Sequence, residues 1–331
     1  MGKTKQDKKT YTKYIIIALL IVFLISSGLL FLKMWESGRG RFPENNDIEN
    51  STIVHNGADY TLNDSIETFL VIGLDKLEGT SVSDSYNNDQ QADFLMLFVF
   101  DDNAQKCTAI HINRDTMAQV NILGVAGNKI DTVTKQIALA HTYGNGRDVS
   151  CRNTADAVSK LLMDVKIDHY ISLTMDSVAV MNDLVGGVEV TVLDDFSGID
   201  DVLVQGQTVT LQGEHALHYV RSRYGLEDSS NHSRMERQQQ YINALFDKFQ
   251  QCMERDDEFV VDASLKMADY IISDRSITQL QAIANKFNAY DFVGISNIAG
   301  ESKLGEQFME FYPNEESVKE TVIELFYELK N

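Results

Sequence analysis

Three scarcities shape the first reading of this 331-residue chain. It has three cysteines, Cys107, Cys151 and Cys252. That is too few, and an odd number, for a disulfide framework; a Cys107–Cys151 bridge and buried free thiols both remain open. It has two prolines, and no Gly/Ser-rich or low-complexity linker breaks the run from residue 65 onward, so one large domain is expected there. Basic residues are also in deficit. Past residue 13 the chain carries 24 Lys and Arg against 48 Asp and Glu, because five of its 29 basic and one of its 49 acidic residues come earlier. A field of that sign repels polyanions and excludes nucleic acid as a partner.

What basic charge there is has been placed. Residues 1–13, "MGKTKQDKKTYTK", hold five lysines and one aspartate, and residues 14–32 then run uncharged. Nineteen such residues suffice to cross about 30 Å of hydrocarbon as a helix. The lysines ahead of the span orient it with the N-terminus in the cytoplasm. The apolar run is longer than the h-region of a cleaved signal peptide. The expected layout is a cytoplasmic tail (1–13), a transmembrane anchor (14–33), a polar extracellular stalk (34–64) and a folded domain (65–331), a single-pass protein of the cell membrane.

Within the domain, "ETFLVIG" (67–73), "DFLMLFVF" (93–100), "CTAIHIN" (107–113), "HYISLT" (169–174) and "VEVTVL" (188–193) read as strands. Helices are expected over 153–165, 176–187, 213–222, 233–252, 258–272 and 276–289, and from 314, with one more strand near 291–298. Strands separated by helices imply an α/β domain, a mixed central sheet with helices on both faces.

Four of the eleven arginines, Arg221, Arg223, Arg234 and Arg237, fall between residues 221 and 237. Arg234, Arg237, Gln238 and Tyr241 share one helix face by their spacing. Guanidinium groups bind phosphate through paired donors and keep their charge; the competing reading is a solvated face balanced by Glu227, Asp228 and Glu236. Asp75 ends one strand and Asp93 begins the next, in the manner of carboxylates that share Mg²⁺ with substrate phosphates. Arg114 and Asp115 follow a strand in "HINRDT". His215 and His218 stand three apart, but no third zinc ligand is spaced to join them, so ordinary surface or core histidines are expected.

Taken in series, "FLVIGLD", "ADFLMLFVF", "HINRDT", "VGGVEV", "LQGEHALHYVRSR" and "RMERQQQ" resemble the LytR–CpsA–Psr proteins over about residues 67–250. The resemblance implies an exterior α/β domain with an apolar pocket for a polyprenyl chain. The implied activity is a metal-dependent phosphotransferase that moves a glycopolymer from a polyprenyl-pyrophosphate-linked glycan to a hydroxyl of a peptidoglycan acceptor. It assigns Asp75 and Asp93 to Mg²⁺ or Mn²⁺. Arg114, Arg221 and Arg223 become catalytic contacts to the pyrophosphate, with Arg234 and Gln238 completing the substrate site. The chain departs from the family pattern at Gln91, where an arginine is usual, and at Gln136 and Ala138, where Lys and Asn are usual; Lys129, Lys135 or His141 could supply the missing contacts. The alternative function is a protein that binds or hydrolyses polyprenyl pyrophosphate without transfer, and an envelope regulator is a third.

Overall fold

Asn56 and Gly57, both at positive φ, turn the chain back on itself between β1 (Thr52–His55) and β2 (Ala58–Leu62). Asn-Gly is the pair favoured in two-residue hairpin turns, because both positions need φ > 0. Residues 52–62 therefore form structure where a polar stalk was expected. The computed structural model describes residues 52–75, 88–222, 231–256 and 258–330. The expected tail, the membrane anchor and Arg223 lie outside those residues. Among the described residues no helix is long and apolar enough to cross a membrane.

β3 (Ile66–Leu74), β4 (Ala92–Asp101) and β5 (Lys106–Ile112) form the antiparallel middle of the main sheet. β6 (Met117–Leu123) and β7 (Lys129–Gln136) make a separate hairpin, followed by a 3₁₀ turn over Ile137–Thr142. Then come α1 (Asp148–Leu161), β8 (His169–Leu173), α2 (Ser177–Leu184), β9 (Val188–Thr191), β10 (Thr208–Leu211) and α3 (Glu214–Arg221). α4 (Asn231–Arg255), α5 (Phe259–Met267), β11 (Ile271–Ser273), α6 (Ile277–Ala289) and β12 (Asp291–Asn297) follow. The chain continues through the hairpin β13 (Gly300–Leu304) and β14 (Met309–Pro313), then α7 (Glu315–Phe326) and β15 (Tyr327–Leu329). The main sheet has the order β11-β8-β3-β4-β5-β12. β8 and β12 run parallel to their inner neighbours and the other pairs are antiparallel, so the sheet is mixed, as expected.

Alternation along the strands splits the core. Leu70, Ile72, Leu95, Leu97 and Ile110 point to the face covered by α1 and α7, through Val158, Val322 and Phe326. Phe69, Met96, Phe98 and Phe100 point to the other face, where Phe246 of α4 and Leu280, Ile283 and Phe287 of α6 pack. β4 is apolar in both directions because both faces are covered. Cys107 belongs to the second face and Cys151 to the first, and both are buried free thiols; the sheet itself separates them. A third cluster joins α2, β9, β10, α3, α4 and α5 around Val188, Phe196, Tyr219 and Tyr241.

Two expected helices have different limits. The helix expected at 153 starts at Asp148. There the Asn145 side chain, two residues before the N-cap Arg147, accepts from the backbone N–H groups of Arg147 and Val149 and so satisfies a free donor of the first turn. The helix expected over 258–272 stops at Met267, and Ile271–Ser273 pairs with β8. That short stretch gains more from closing the sheet edge than from another helical turn.

Candidate functional site

The bulge between β3 and β4 builds one corner of the site. Gly73 pairs with Phe94 and Leu74 with Ala92, which leaves Asp93 as the extra residue and re-aims its side chain. Gly73 is required at this crossing, since a Cβ there would lie 2.8 Å from Cβ of Phe94. Asp75 follows directly, its N–H donating to Gln91 O at 3.1 Å while its Oδ1 accepts from Gln91 N at 2.9 Å. Both carboxylates thus sit at adjacent strand ends.

Arginines converge on them. Arg114, after β5, donates from Nη1 to Asp93 Oδ1 and from Nη2 to Gln91 Oε1. Arg234, near the start of α4, places Nη1 3.4 Å from Asp93 Oδ2. Both guanidinium groups are buried, at 8% and 2% exposure, so the carboxylate between them is needed to neutralise them. Burial pushes the Asp75 carboxyl up from its ordinary value, against the opposing pull of the Gln91 N–H and of Arg114. His111 is buried and is pushed down to about 3 by burial first and by the charge of Arg234 second; it stays neutral and adds no charge.

Of the residues proposed from sequence, Asp75, Asp93, Arg114 and Arg234 are brought together. Arg221 is exposed at the last position of α3. Gln238 donates to Val220 O at 3.1 Å and so holds the end of α3 from α4. Arg237 does more of the same. Its Nε donates to Tyr219 O at 2.9 Å, its Nη1 to Ser233 Oγ at 3.0 Å and to Asp194, and its Nη2 to Ser222 O. It is fully buried, so the solvated-face reading fails for Arg234 and Arg237 alike. Gln91 was missed as a partner of Arg114, since sequence shows only that an arginine is not there. Gln136 likewise has a role in place: its Nε2 donates to Asp115 Oδ1 at 3.2 Å and to Met309 O at 2.7 Å. Lys135 instead donates to Tyr143 Oη at 3.0 Å, and His141 is buried with Nδ1 3.1 Å from Gln90 O.

On the same sheet face lies an apolar cavity of about 280 Å³, lined by Val71, Phe98, Leu173, Phe246, Val260 and Ala284 among others. Helix α4 links it to the polar corner. At 1.5 Å per residue, Arg234 and Phe246 are about 18 Å apart along that helix. One end of the helix offers fixed positive charge and the middle offers an apolar hollow, an arrangement suited to an anionic head on a long hydrocarbon tail.

The sequence model of the LytR_cpsA_psr family matches residues 41–324. A polyisoprenyl-teichoic acid–peptidoglycan teichoic acid transferase, TagU of Bacillus licheniformis, is 25% identical over 248 residues, covering 75% of this chain and 73% of that protein. Biofilm regulatory protein A of Streptococcus mutans is 25% identical over 247 residues, covering 71% of this chain and 57% of its own length. Among solved structures, TagT bound to LI-WTA superposes with a TM-score of 0.59 at 22% identity, over 79% of this chain and 90% of that one. At that identity the likeness speaks to the fold.

Proposed function

This chain belongs to the LytR–CpsA–Psr family, and from that premise we propose that it transfers a glycopolymer from a polyprenyl-pyrophosphate carrier to a hydroxyl of peptidoglycan. The observation that carries the proposal is α4, which brings Arg234 to the carboxylate corner and Phe246 to the apolar cavity. The pyrophosphate takes the corner and the polyprenyl chain takes the hollow. The named activity of the TagU relative supports the same chemistry.

In the proposed reaction an acceptor hydroxyl attacks the phosphorus next to the glycan. A new P–O bond forms, the hydroxyl proton passes to solvent water, and the bridging P–O bond breaks with polyprenyl phosphate as leaving group. Arg114 and Arg234 stabilise the charge that spreads over the non-bridging oxygens. Both pair with Asp93 in this structure; a pyrophosphate draws them away and frees carboxylate oxygens. Arg221 and Arg223 are assigned to the same anion. Gln91 Oε1 orients Arg114, taking a positioning role where the family usually has another charge. Gln136 fixes Asp115, and Asp115 holds its loop through Asn113, whose Oδ1 accepts from Asp115 N.

The donor set fits a hard divalent cation. Two carboxylates lie at neighbouring strand ends, and burial holds Asp75 above its ordinary value, a penalty that a bound cation relieves. Asp75 and Asp93 would hold Mg²⁺ or Mn²⁺, which supplies positive charge beside the phosphate oxygens. Residues 14–33 would anchor the chain in the cell membrane with the catalytic domain outside.

The test is transfer of labelled glycan from a lipid-linked oligosaccharide to soluble peptidoglycan fragments, with release of lipid phosphate followed in parallel. Wild type should transfer with Mg²⁺ or Mn²⁺, and Asp93→Ala should not. Release without transfer would make the protein a hydrolase, the reading motivated by Gln91 and Gln136. Tight lipid binding with neither release nor transfer would defeat the enzyme reading altogether.

A further inference from the structure

Asp200 lies in the segment that connects β9 to β10. Phe196 and Leu203 of that segment are buried against the third core cluster. Asp200 Oδ1 accepts from Val202 N at 3.2 Å, which fixes the carboxylate plane. Its Oδ2 faces His215 Nδ1 at 2.7 Å and His218 Nδ1 at 2.8 Å. His215 stands in the first turn of α3 and His218 three residues on, in its last turn, so their rings share one helix face. The three candidate donor atoms all lie within 4.8 Å of one another. The Asp200 side chain is 5% exposed and the imidazoles about 40%. The cluster therefore has a buried, oriented carboxylate and an open side.

We propose that Asp200, His215 and His218 form a binding site for a divalent transition-metal ion, Zn²⁺ in the first instance, separate from the Asp75–Asp93 corner. Two imidazoles and a carboxylate suit Zn²⁺ better than Mg²⁺, which prefers oxygen ligands alone. Three protein ligands leave a fourth position for water on the exposed side. A tetrahedral centre with bonds near 2.0–2.1 Å separates its donors by about 3.3 Å. The present donors need to open by roughly half an ångström, within the reach of small side-chain rotations on half-exposed rings. Sequence spacing hid the site because the third ligand comes from the β9–β10 segment and not from α3.

The ion would tie this segment to α3. The same segment supplies Asp194 to Arg237, which holds the carbonyls of Tyr219 and Ser222 at the other end of α3. A short helix is thus fastened to one connection twice, through its last carbonyls and, with the ion bound, through His215 and His218.

The test uses the full chain without a polyhistidine tag, in detergent micelles, stripped with chelator and kept in excess Mg²⁺ to occupy hard sites. Zn²⁺ is titrated against a chromophoric chelator and Co²⁺ by its visible absorption. Wild type should take up one equivalent, with the intense Co²⁺ spectrum of a four- or five-coordinate site. His215→Gln and His218→Gln should each weaken uptake by at least about tenfold, the loss expected even of a residue that only supports a ligand. Asp93→Asn should leave uptake unchanged. Circular dichroism checks that the exposed-histidine variants remain folded, and the wild-type Co²⁺ spectrum stands independently of any variant. No uptake, a weak octahedral spectrum, or uptake unchanged in both histidine variants would overturn the proposal and leave Asp200 as a hydrogen-bond acceptor for two imidazoles.

Discussion

Arg237 Nε donates to the carbonyl oxygen of Tyr219 at 2.9 Å, so a helix whose last residue is Arg221 is held from its neighbour by a fully buried guanidinium. The two arginines consequently answer to different measurements. Arg237→Lys keeps the charge but cannot reach Asp194, Ser233 and two carbonyls at once. Losing part of a buried charge network should cost about 3 kcal/mol or more, read as a lowered denaturant midpoint. Arg221→Lys, at an exposed position, should leave that midpoint in place and weaken a polyprenyl-pyrophosphate analogue by about 1.5–3 kcal/mol. Equal affinity for wild type and Arg221→Lys would make Arg221 ordinary surface charge.

Gln91 is the second case. Gln91→Ala removes the acceptor that orients Arg114. A hydrogen bond to a charged group contributes about 1.5–3 kcal/mol, so turnover should fall roughly ten- to a hundredfold, with a loss of folding stability no greater than that same amount. Gln91→Arg removes the same acceptor and adds a like charge beside Arg114, so it should not exceed wild-type turnover. A faster Gln91→Arg enzyme would show that the site lacks a charge, not an orienting group.

His141 gives a pH signature. Burial, only partly offset by its contact with Gln90 O, pushes its pKa down from 6.5 to about 4. Between those values the unfolded chain takes up a proton that the folded chain refuses, so stability falls as pH drops from 6.5 and levels off below about 4. The contribution is roughly 3 kcal/mol at full extent, at about 1.36 kcal/mol per pKa unit. His141→Gln should flatten that part of the stability–pH curve in urea titrations. His111, pushed down to about 3, should keep the remaining slope.

The cavity is testable apart from the polar corner. Ala284→Phe projects a ring into a hollow of about 280 Å³. KM should rise for a long-chain lipid carrier and much less for a short-chain analogue. A parallel rise for both substrates would mean that the tail does not enter this hollow.

Much of the sheet was legible because β3, β4, β5 and β8 declare themselves by short apolar runs or alternation. The hairpins β6–β7 and β13–β14 were not read. β7 and β13 are largely exposed or polar, as "KIDTVTKQ" and "GESKL" show, so hydrophobic period carries little signal there, whereas β6, "MAQVNIL", is mostly buried but lacks regular alternation. The Asn56-Gly57 turn is legible as a hairpin pair, but the polar residues on either side of it hide the flanking strands. At the site, the carboxylates and Arg114 could be placed from strand ends. The burial of Arg234 and Arg237 could not, since helical spacing gives the face of a residue and not what covers it. Asp200 escaped because its partners are brought to it only by the folding of the β9–β10 segment.

The small sheet β1-β2-β15 puts the first described strands and the last into one hydrogen-bonded unit, with Glu328 opposite Thr61 and Lys330 N donating to Asp59 O at 2.8 Å. A strand near the start of the domain therefore waits for a partner that follows it by most of the described chain. While the chain is being made, β2 has only β1 beside it and keeps one edge open. A domain cut before Tyr327 would keep nearly all its core and leave one edge of β2 unpaired. The order of synthesis thus makes β15 a seal, and chains cut before it should be recognised by that edge before any loss of the carboxylate corner.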